Sequence, residues 1–309
     1  EGFVGCADHN EPWTTGVGPV PMNRDSTRRI SAYVSHLAPA MSRPNLTVRT
    51  DALVRRVLLD GTTATGVELV DGTVLHGDSI VLAAGAVQSP LVLLRSGLGD
   101  LTGVGSHLGD HMVVTCRVAV RPGAVPDGGP NLQTILRLSS GGDRGNDLQI
   151  TPWPIRHADG RRGLGMSVSL QLPDGEGSVR PSGDDGLGPA RIDWPFTHDA
   201  SNVDRIVAGY RTALRIALAS GVVLDADAVG AELDRSDDDL RRFVRDEHTA
   251  FYHGVGTCRM GDDGVVGTDL TVHGTSGLRV IDASVIPTVP RSNTNLLVMA
   301  LAHLAAARF

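Results

Sequence analysis

Two short runs between Phe251 and the carboxy terminus hold the residue types that a buried proton-transfer site requires. The first is Tyr252-His253-Gly254-Val255-Gly256-Thr257-Cys258-Arg259-Met260-Gly261, and the second is Ile281-Asp282-Ala283-Ser284 followed by Pro290-Arg291-Ser292-Asn293-Thr294-Asn295. A reaction that releases a proton from a substrate needs a group placed to accept it. A histidine is the side chain best matched to take that proton near neutral pH, and a positioned base is worth roughly 10²–10⁴ in rate. His253 stands ahead of a glycine-rich turn, and Asn293 and Asn295 bring amides to the mouth of an apolar helix, where a side-chain amide can hold a polar atom of a ligand. One histidine alone is a weak signal, since most are structural, so the elements that would position it carry much of the argument.

The helix after Asn293 is the first of these elements. Leu296, Leu297, Val298, Met299, Leu301 and Leu304, spaced by alanines, are apolar on nearly every side, which predicts a buried helix rather than an amphipathic one. Its start presents free N–H groups and a positive dipole end, to be answered by caps, water or an anionic ligand atom. Ser292 or Asn293 suits an N-cap. A cap does not explain two asparagines together.

These runs resemble the carboxy-terminal signature of the glucose-methanol-choline (GMC) family of FAD-dependent oxidoreductases. His253, Gly256, Thr257, Met260 and Gly261 match its H-x-x-G-T-x-x-M-G run, Val280 to Ser284 its V-I-D-A-S, and Asn293 to Asn295 its N-T-N. A further element, G-A-x-x-S-P followed by S-G-[aliphatic]-G, is intact from Gly85 to Gly99. The resemblance implies FAD as cofactor and oxidation of an alcohol to a carbonyl by hydride transfer to flavin N5. It implies His253 as general base and Asn293 as its oxygen-binding partner. Val54 would meet the adenine end through its backbone, Ala84 and Gly85 would pass close to the dinucleotide, and Asp282 and Ala283 would hold the ribityl or pyrophosphate region. The start formed by Asn293, Thr294 and Asn295 would stabilise negative charge on the reduced ring.

The fold implied is α/β (α+β), with a discontinuous FAD-binding domain of Rossmann-like type and an antiparallel-sheet substrate domain. Residues 1–45 are expected to lie beside cofactor and substrate, 46–111 to form part of the FAD-binding domain, 112–250 the substrate domain, and 251–309 the return that carries the catalytic residues. Within the first segment a short helix is expected from Asp25 or Ser26 to Leu37, stopped by Pro39. Strands are expected at 46–49, 52–59, 65–70 and 73–75, turned by Asp60-Gly61 and Asp71-Gly72. Ser79 to Gly85 reads as a buried strand delivered into a glycine turn, with a helix from Ser89 to Ser96, the arrangement by which an α/β sheet offers backbone amides to a cofactor. Strands at 112–120, 133–138, 147–150 and 166–172, separated by loops at 122–130 and 141–145, suggest the antiparallel sheet. Trp153, Trp194 and Phe196 are cavity or core aromatics. Helices capped by Ser201 and Ser236 complete the middle of the chain, the second with Asp237, Asp238 and Asp239 where the macrodipole favours them.

Bulk properties exclude other classes. The 309 residues are 41% hydrophobic and 20% charged, a soluble globular composition. A net charge of −7 argues against a nucleic-acid surface. All 28 positive residues are arginine, which excludes Schiff-base lysine chemistry. Cys6, Cys116 and Cys258 are odd in number and widely spaced, so a reduced, cytoplasmic setting without a disulfide framework is expected. No run reaches the roughly 20 apolar residues of a membrane span. His107 and His111 stand at a spacing used by zinc helices, but Gly105 and Gly109 disfavour a helix and the run better matches the family's G-V-G-x-x-L-x-D-H; no metal is expected. The connection before it, residues 100–102, is shorter than the family's.

One family feature is missing. No strand-turn-helix G-x-G-x-x-G appears, and Gly97-Leu98-Gly99 and Gly103-Val104-Gly105 lack the third glycine. The chain opens at Glu1 in what reads as mid-fold sequence. An amino-terminal partner chain supplying that half is therefore expected. The alternatives are a degenerate, non-catalytic binding or structural partner, which would bind no flavin, and a flavin-containing lyase of the same fold.

Overall fold

The computed structural model describes residues 2–308 apart from 102, 126–129, 142–143 and 159. The loops at 122–130 and 141–145 and the connection at 100–102 therefore lie partly outside the described residues. In chain order the strands are β1 (Gly16–Pro19), β2 (Val54–Asp60), β3 (Thr63–Leu69), β4 (Val74–His76), β5 (Ile80–Leu82), β6 (Met112–Ala119), β7 (Thr134–Leu138), β8 (Leu148–Arg156), β9 (Arg162–Leu170), β10 (Ser178–Arg180), β11 (Arg191–Asp193), β12 (Thr249–Ala250) and β13 (Leu278–Val280). The helices are α1 (Ala38–Ala40), α2 (Gly85–Arg95), α3 (Ala200–Ala219), α4 (Ala226–Leu233), α5 (Asp237–Glu247) and α6 (Thr294–Ala306).

A six-stranded sheet of order β1-β7-β8-β9-β6-β12 is antiparallel throughout and forms one body of the fold. Alternate residues of β6 (Met112, Val114, Cys116, Val118) face a core shared with Val168 and Leu170 of β9 and with Ile206, Tyr210, Ala213 and Leu214 of α3. Gly209 lets α3 lie close, because a Cβ there would meet Val168 Cγ1 at 2.7 Å. Both ends of the chain's candidate chemistry touch this sheet: β6 starts directly after His111, and β12 ends three residues before His253.

The second body is built on β5 and β13, paired in parallel with Ile80 opposite Leu278 and Leu82 opposite Val280. The antiparallel β2-β3-β4 sheet and α2 pack with it around Val57, Leu93, Val265, Val272, Leu278 and Val285. The resulting mixed α/β architecture with antiparallel sheets agrees with the expected fold class. The order of strand, glycine turn and helix at 79–96 is as expected, but α2 begins at Gly85, at φ +78°, rather than at Ser89, and the strand is only partly buried, with Val81 43% exposed.

Several local expectations are corrected. Residues 25–30 form a tight turn, in which the Asp25 carboxylate accepts from the Thr27 and Arg28 N–H groups and Ile30 N–H bonds to Asn23. Helical structure begins only at Tyr33, as a π-helical segment over Tyr33–Leu37, and Pro39 stands in the first turn of the α1 that follows, where a proline is tolerated. Residues 46–49 are not a strand. Asp199, not Ser201, caps α3, and α4, capped by Asp225, was hidden by the glycine at its centre. Phe196 is core, with Trp194 stacked on it at 5.4 Å. The largest departure is α6: Leu296, Leu297 and Leu304 are 57%, 41% and 64% exposed. Apolarity marks a helix that gains from cover, but cover comes from neighbours that the helix's own pattern does not reveal.

Candidate active site

The loop after β12 is folded around a single carboxylate. Asp110, just before β6, accepts from the backbone N–H of His111 at 2.6 Å and of His253 at 3.0 Å, both through Oδ1. Tyr252 adopts φ +62°, a left-handed conformation costly for a residue with a bulky side chain, and its ring is left in solvent. That reversal turns His253 inward. Gly256, at φ +88°, is required nearby because a Cβ would lie 2.2 Å from the His107 carbonyl oxygen.

Once inside, His253 meets His111. The two Nδ1 atoms are 3.0 Å apart, the rings cross at 72° with centroids 5.0 Å apart, and Phe251 makes a similar edge contact on His253 at 5.1 Å. His111 is fully buried, and its Nε2 lies 2.8 Å from the Pro290 carbonyl oxygen. Burial disfavours the charged form of each ring, holding His253 down at about 4 and His111 at about 3, the latter also through its neighbouring ring. Both are neutral at pH 7. Burial pushes the Asp110 carboxyl up to about 6, while the N–H groups of His253 and His111 pull in the opposite direction. Its Oδ2 is buried without a hydrogen-bond partner among the described residues. An Asp110 oxygen and a ring nitrogen of each histidine lie within 4.8 Å of one another, but the 3.0 Å nitrogen–nitrogen distance is that of an N–H···N hydrogen bond. His107 is turned elsewhere, paired with Glu176.

Pro290 leads in three residues to Asn293, which occupies the N-cap position of α6 but makes no side-chain capping bond. Asn295 accepts from Asn23 Nδ2 at 2.6 Å, tying the amino-terminal segment to the first turn of α6. Asp282 is committed within the chain. Its Oδ2 accepts from Gly85 N–H at 2.9 Å and Ser89 Oγ at 2.5 Å, and its Oδ1 from Ser284 N–H at 2.8 Å. It thereby caps α2 from across the fold and fixes the Ala84-Gly85 turn, while Ala283 opens the short helical turn that follows. Val54 lies apart, at the start of β2, where its carbonyl faces the Arg95 guanidinium at 3.5 Å. Sequence reasoning missed Asp110 and His111 as His253's companions; the adjacent D-H at the end of the matched G-V-G-x-x-L-x-D-H run was the available signal.

This is a mixed α/β protein in which the segments flanking β6 and β12 of the antiparallel sheet bring two histidines together. Two family models, both described as GMC oxidoreductase, match residues 4–113 and 173–302. The chain belongs to the GMC oxidoreductase family, which indicates FAD as its cofactor. It is 31% identical to an uncharacterized GMC-type oxidoreductase of Rhodococcus erythropolis over 99% of this chain and 65% of that one. It is 29% identical to a 5-(hydroxymethyl)furfural oxidase of Methylovorus, over 98% of this chain and 64% of the other. Among solved structures, the pyridoxine 4-oxidase of Mesorbium loti superposes with a TM-score of 0.87 at 25% identity, covering all of this chain and 67% of that one. The chain thus spans about 65% of the length of the curated relatives it matches. Those relatives hold the matched region within a single longer chain, so the expected amino-terminal partner chain finds no support. Among the described residues no helix is long and apolar enough to cross a membrane.

Proposed function

We propose that this chain carries the alcohol-activating part of an FAD-dependent oxidoreductase, with His253 as the general base and Asn293 as the group that holds the substrate oxygen. The observation that carries the reading is the environment of His253: an imidazole kept neutral by burial, turned inward by the Tyr252 reversal and fixed through its backbone to Asp110. A base must be unprotonated to act, and this one is so throughout the neutral range. The relative named as a 5-(hydroxymethyl)furfural oxidase, whose named substrate bears a hydroxymethyl group, supports the assignment of an alcohol substrate.

FAD, when bound, supplies the acceptor for the hydride lost from the alcohol carbon. The residues present fit such a group. Beyond its own chain neighbours and helix backbone, no heavy atom lies within 4 Å of where a Cβ would project from Gly85, so the Ala84-Gly85 turn allows close approach of a ligand to the backbone. At α6 the Asn293 side chain is not spent on capping, which leaves it and the helix's positive end, Thr294 and Asn295, suited to a negatively charged ring edge. In this reading Asp282 acts by holding the Gly85 turn, Ala283 lies beside it, and Val54 borders the adenine end. The division at residues 45, 111 and 250 into cofactor-adjacent, FAD-binding, substrate and returning FAD-binding segments belongs to the same proposal.

The test is anaerobic reduction of the flavin-loaded enzyme by an alcohol. His253→Ala should slow reduction roughly 10²–10⁴-fold while flavin absorbance is retained. Reduction at the unaltered rate would remove His253 from its role.

A further inference from the structure

We infer that the Pro290 carbonyl, acting through His111, dictates which nitrogen of His253 is the base. The inference rests on the reading of His253 as the base, and it assigns His111 as a positioning residue. A carbonyl oxygen only accepts hydrogen bonds, so the 2.8 Å contact from His111 Nε2 to Pro290 requires the proton of His111 to sit on Nε2. His111 is wholly buried and neutral, so its Nδ1 then carries a lone pair. The 3.0 Å contact between the two Nδ1 atoms can be a hydrogen bond only if His253 donates it. His253 is thereby held as the Nδ1–H form, with the lone pair on Nε2.

The consequence is a base whose accepting atom is set before substrate arrives. The proton of the alcohol O–H would pass to His253 Nε2, while FAD, if bound, would supply the acceptor for the hydride lost from the adjacent carbon. The imidazolium so formed keeps its Nδ1–H on His111. In the opposite tautomer, His253 would present an N–H to the substrate oxygen and could not take its proton. The carbonyl at the start of this relay belongs to the segment that enters α6, so the placement of Asn293 and the tautomer of His253 depend on the same stretch of backbone.

The test is ¹⁵N spectroscopy of the ring nitrogens in the histidine-labelled chain near pH 7.5, with His253 and His111 assigned by their loss in His253→Ala and His111→Leu. His253 should show a protonated Nδ1 and an unprotonated Nε2, and His111 the reverse. In His111→Leu the acceptor is gone and His253 should move to Nε2–H or a mixture. In His111→Asn the side-chain oxygen can accept the same bond and should restore Nδ1–H. A protonated Nε2 on His253 in the unaltered chain would overturn the inference, as would Nδ1–H persisting unchanged in His111→Leu. If the leucine variant does not fold, the unaltered spectrum still decides. In the flavin-loaded enzyme, His111→Leu should lower the rate of reduction at least about 10-fold, by analogy with groups that orient a catalytic histidine, and His111→Asn should recover most of it. The spectrum reads the tautomer without flavin or substrate. An Nδ1–H His253 combined with an unaffected His253→Ala enzyme would therefore sink the general-base reading alone.

Discussion

At the scale of the residue, the site is governed by where polar atoms are left once burial has removed water. Asp110 sits at its centre with one oxygen shared between two backbone N–H groups and the other buried without a hydrogen-bond partner among the described residues. Its folded pKa of about 6 lies above the free value of 3.8, so the folded state binds the proton more tightly. The stability this contributes is full below pH 3.8 and is lost as pH rises through 6, which leaves the ionised carboxylate costing roughly 3 kcal/mol at neutral pH. His253 and His111 run the other way. Their pKa values are depressed from 6.5, so their contribution is present above pH 6.5 and is lost as pH falls through about 4 and then 3. Asp110→Asn removes the first dependence and keeps the second. Whatever constant offset the amide introduces, the stability of the variant relative to the parent should be highest at pH 7 and fall by up to about 3 kcal/mol on going to pH 4, read from urea unfolding at both values. A difference independent of pH would mean that the Asp110 carboxyl is solvated.

At the scale of the element, the turn that precedes α2 is held by a residue almost two hundred positions away in sequence. Removing Asp282 leaves the Gly85 and Ser284 N–H groups and the Ser89 hydroxyl without their acceptor inside the fold. Asp282→Ala should therefore cost on the order of 3 kcal/mol, and Asp282→Asn, which keeps one carbonyl acceptor, about half of that, measured as shifts in the denaturant midpoint. Equal losses for the two would indicate that the site needs charge rather than acceptors. This element also illustrates what the amino-acid sequence discloses. Strand, glycine turn and the later part of α2 were legible because Ile80, Val81 and Leu82 run into Gly85, though not the start of α2 at Gly85 itself, and α5 because Ser236 and three aspartates mark its start. The Asp282 clamp, the joining of β12 to β6 and the meeting of His111 with His253 were not legible, because each is a contact between distant segments, and periodicity and capping describe only near neighbours. His253 and Asn293 are singled out by their runs of residues; His111 is not, because Gly105 and Gly109 disfavour the helix that its H-x-x-x-H spacing with His107 would need and a single histidine is a weak signal.

At the scale of the whole molecule, one surface is out of keeping with a chain of net charge −7. Leu296 and Leu297 are adjacent and Leu304 lies about two turns further along the same side of α6; the three are 57%, 41% and 64% exposed, just beyond the helix start that carries Asn293. A contiguous apolar stripe of this kind lowers stability little where it lies but attracts other apolar matter. The chain should accordingly bind an apolar fluorescent dye in its folded state. The triple change of Leu296, Leu297 and Leu304 to Gln should remove most of that signal while moving unfolding by less than about 1 kcal/mol, since exposed substitutions are generally worth ±0.5 kcal/mol each and glutamine is a good helix former. The two readouts separate the explanations. Dye binding that survives the triple change would place the apolar surface elsewhere, and a large loss of stability would show that the stripe is packed in solution. Loss of dye signal with stability intact would establish that the face of α6 next to the candidate active site is open in this chain.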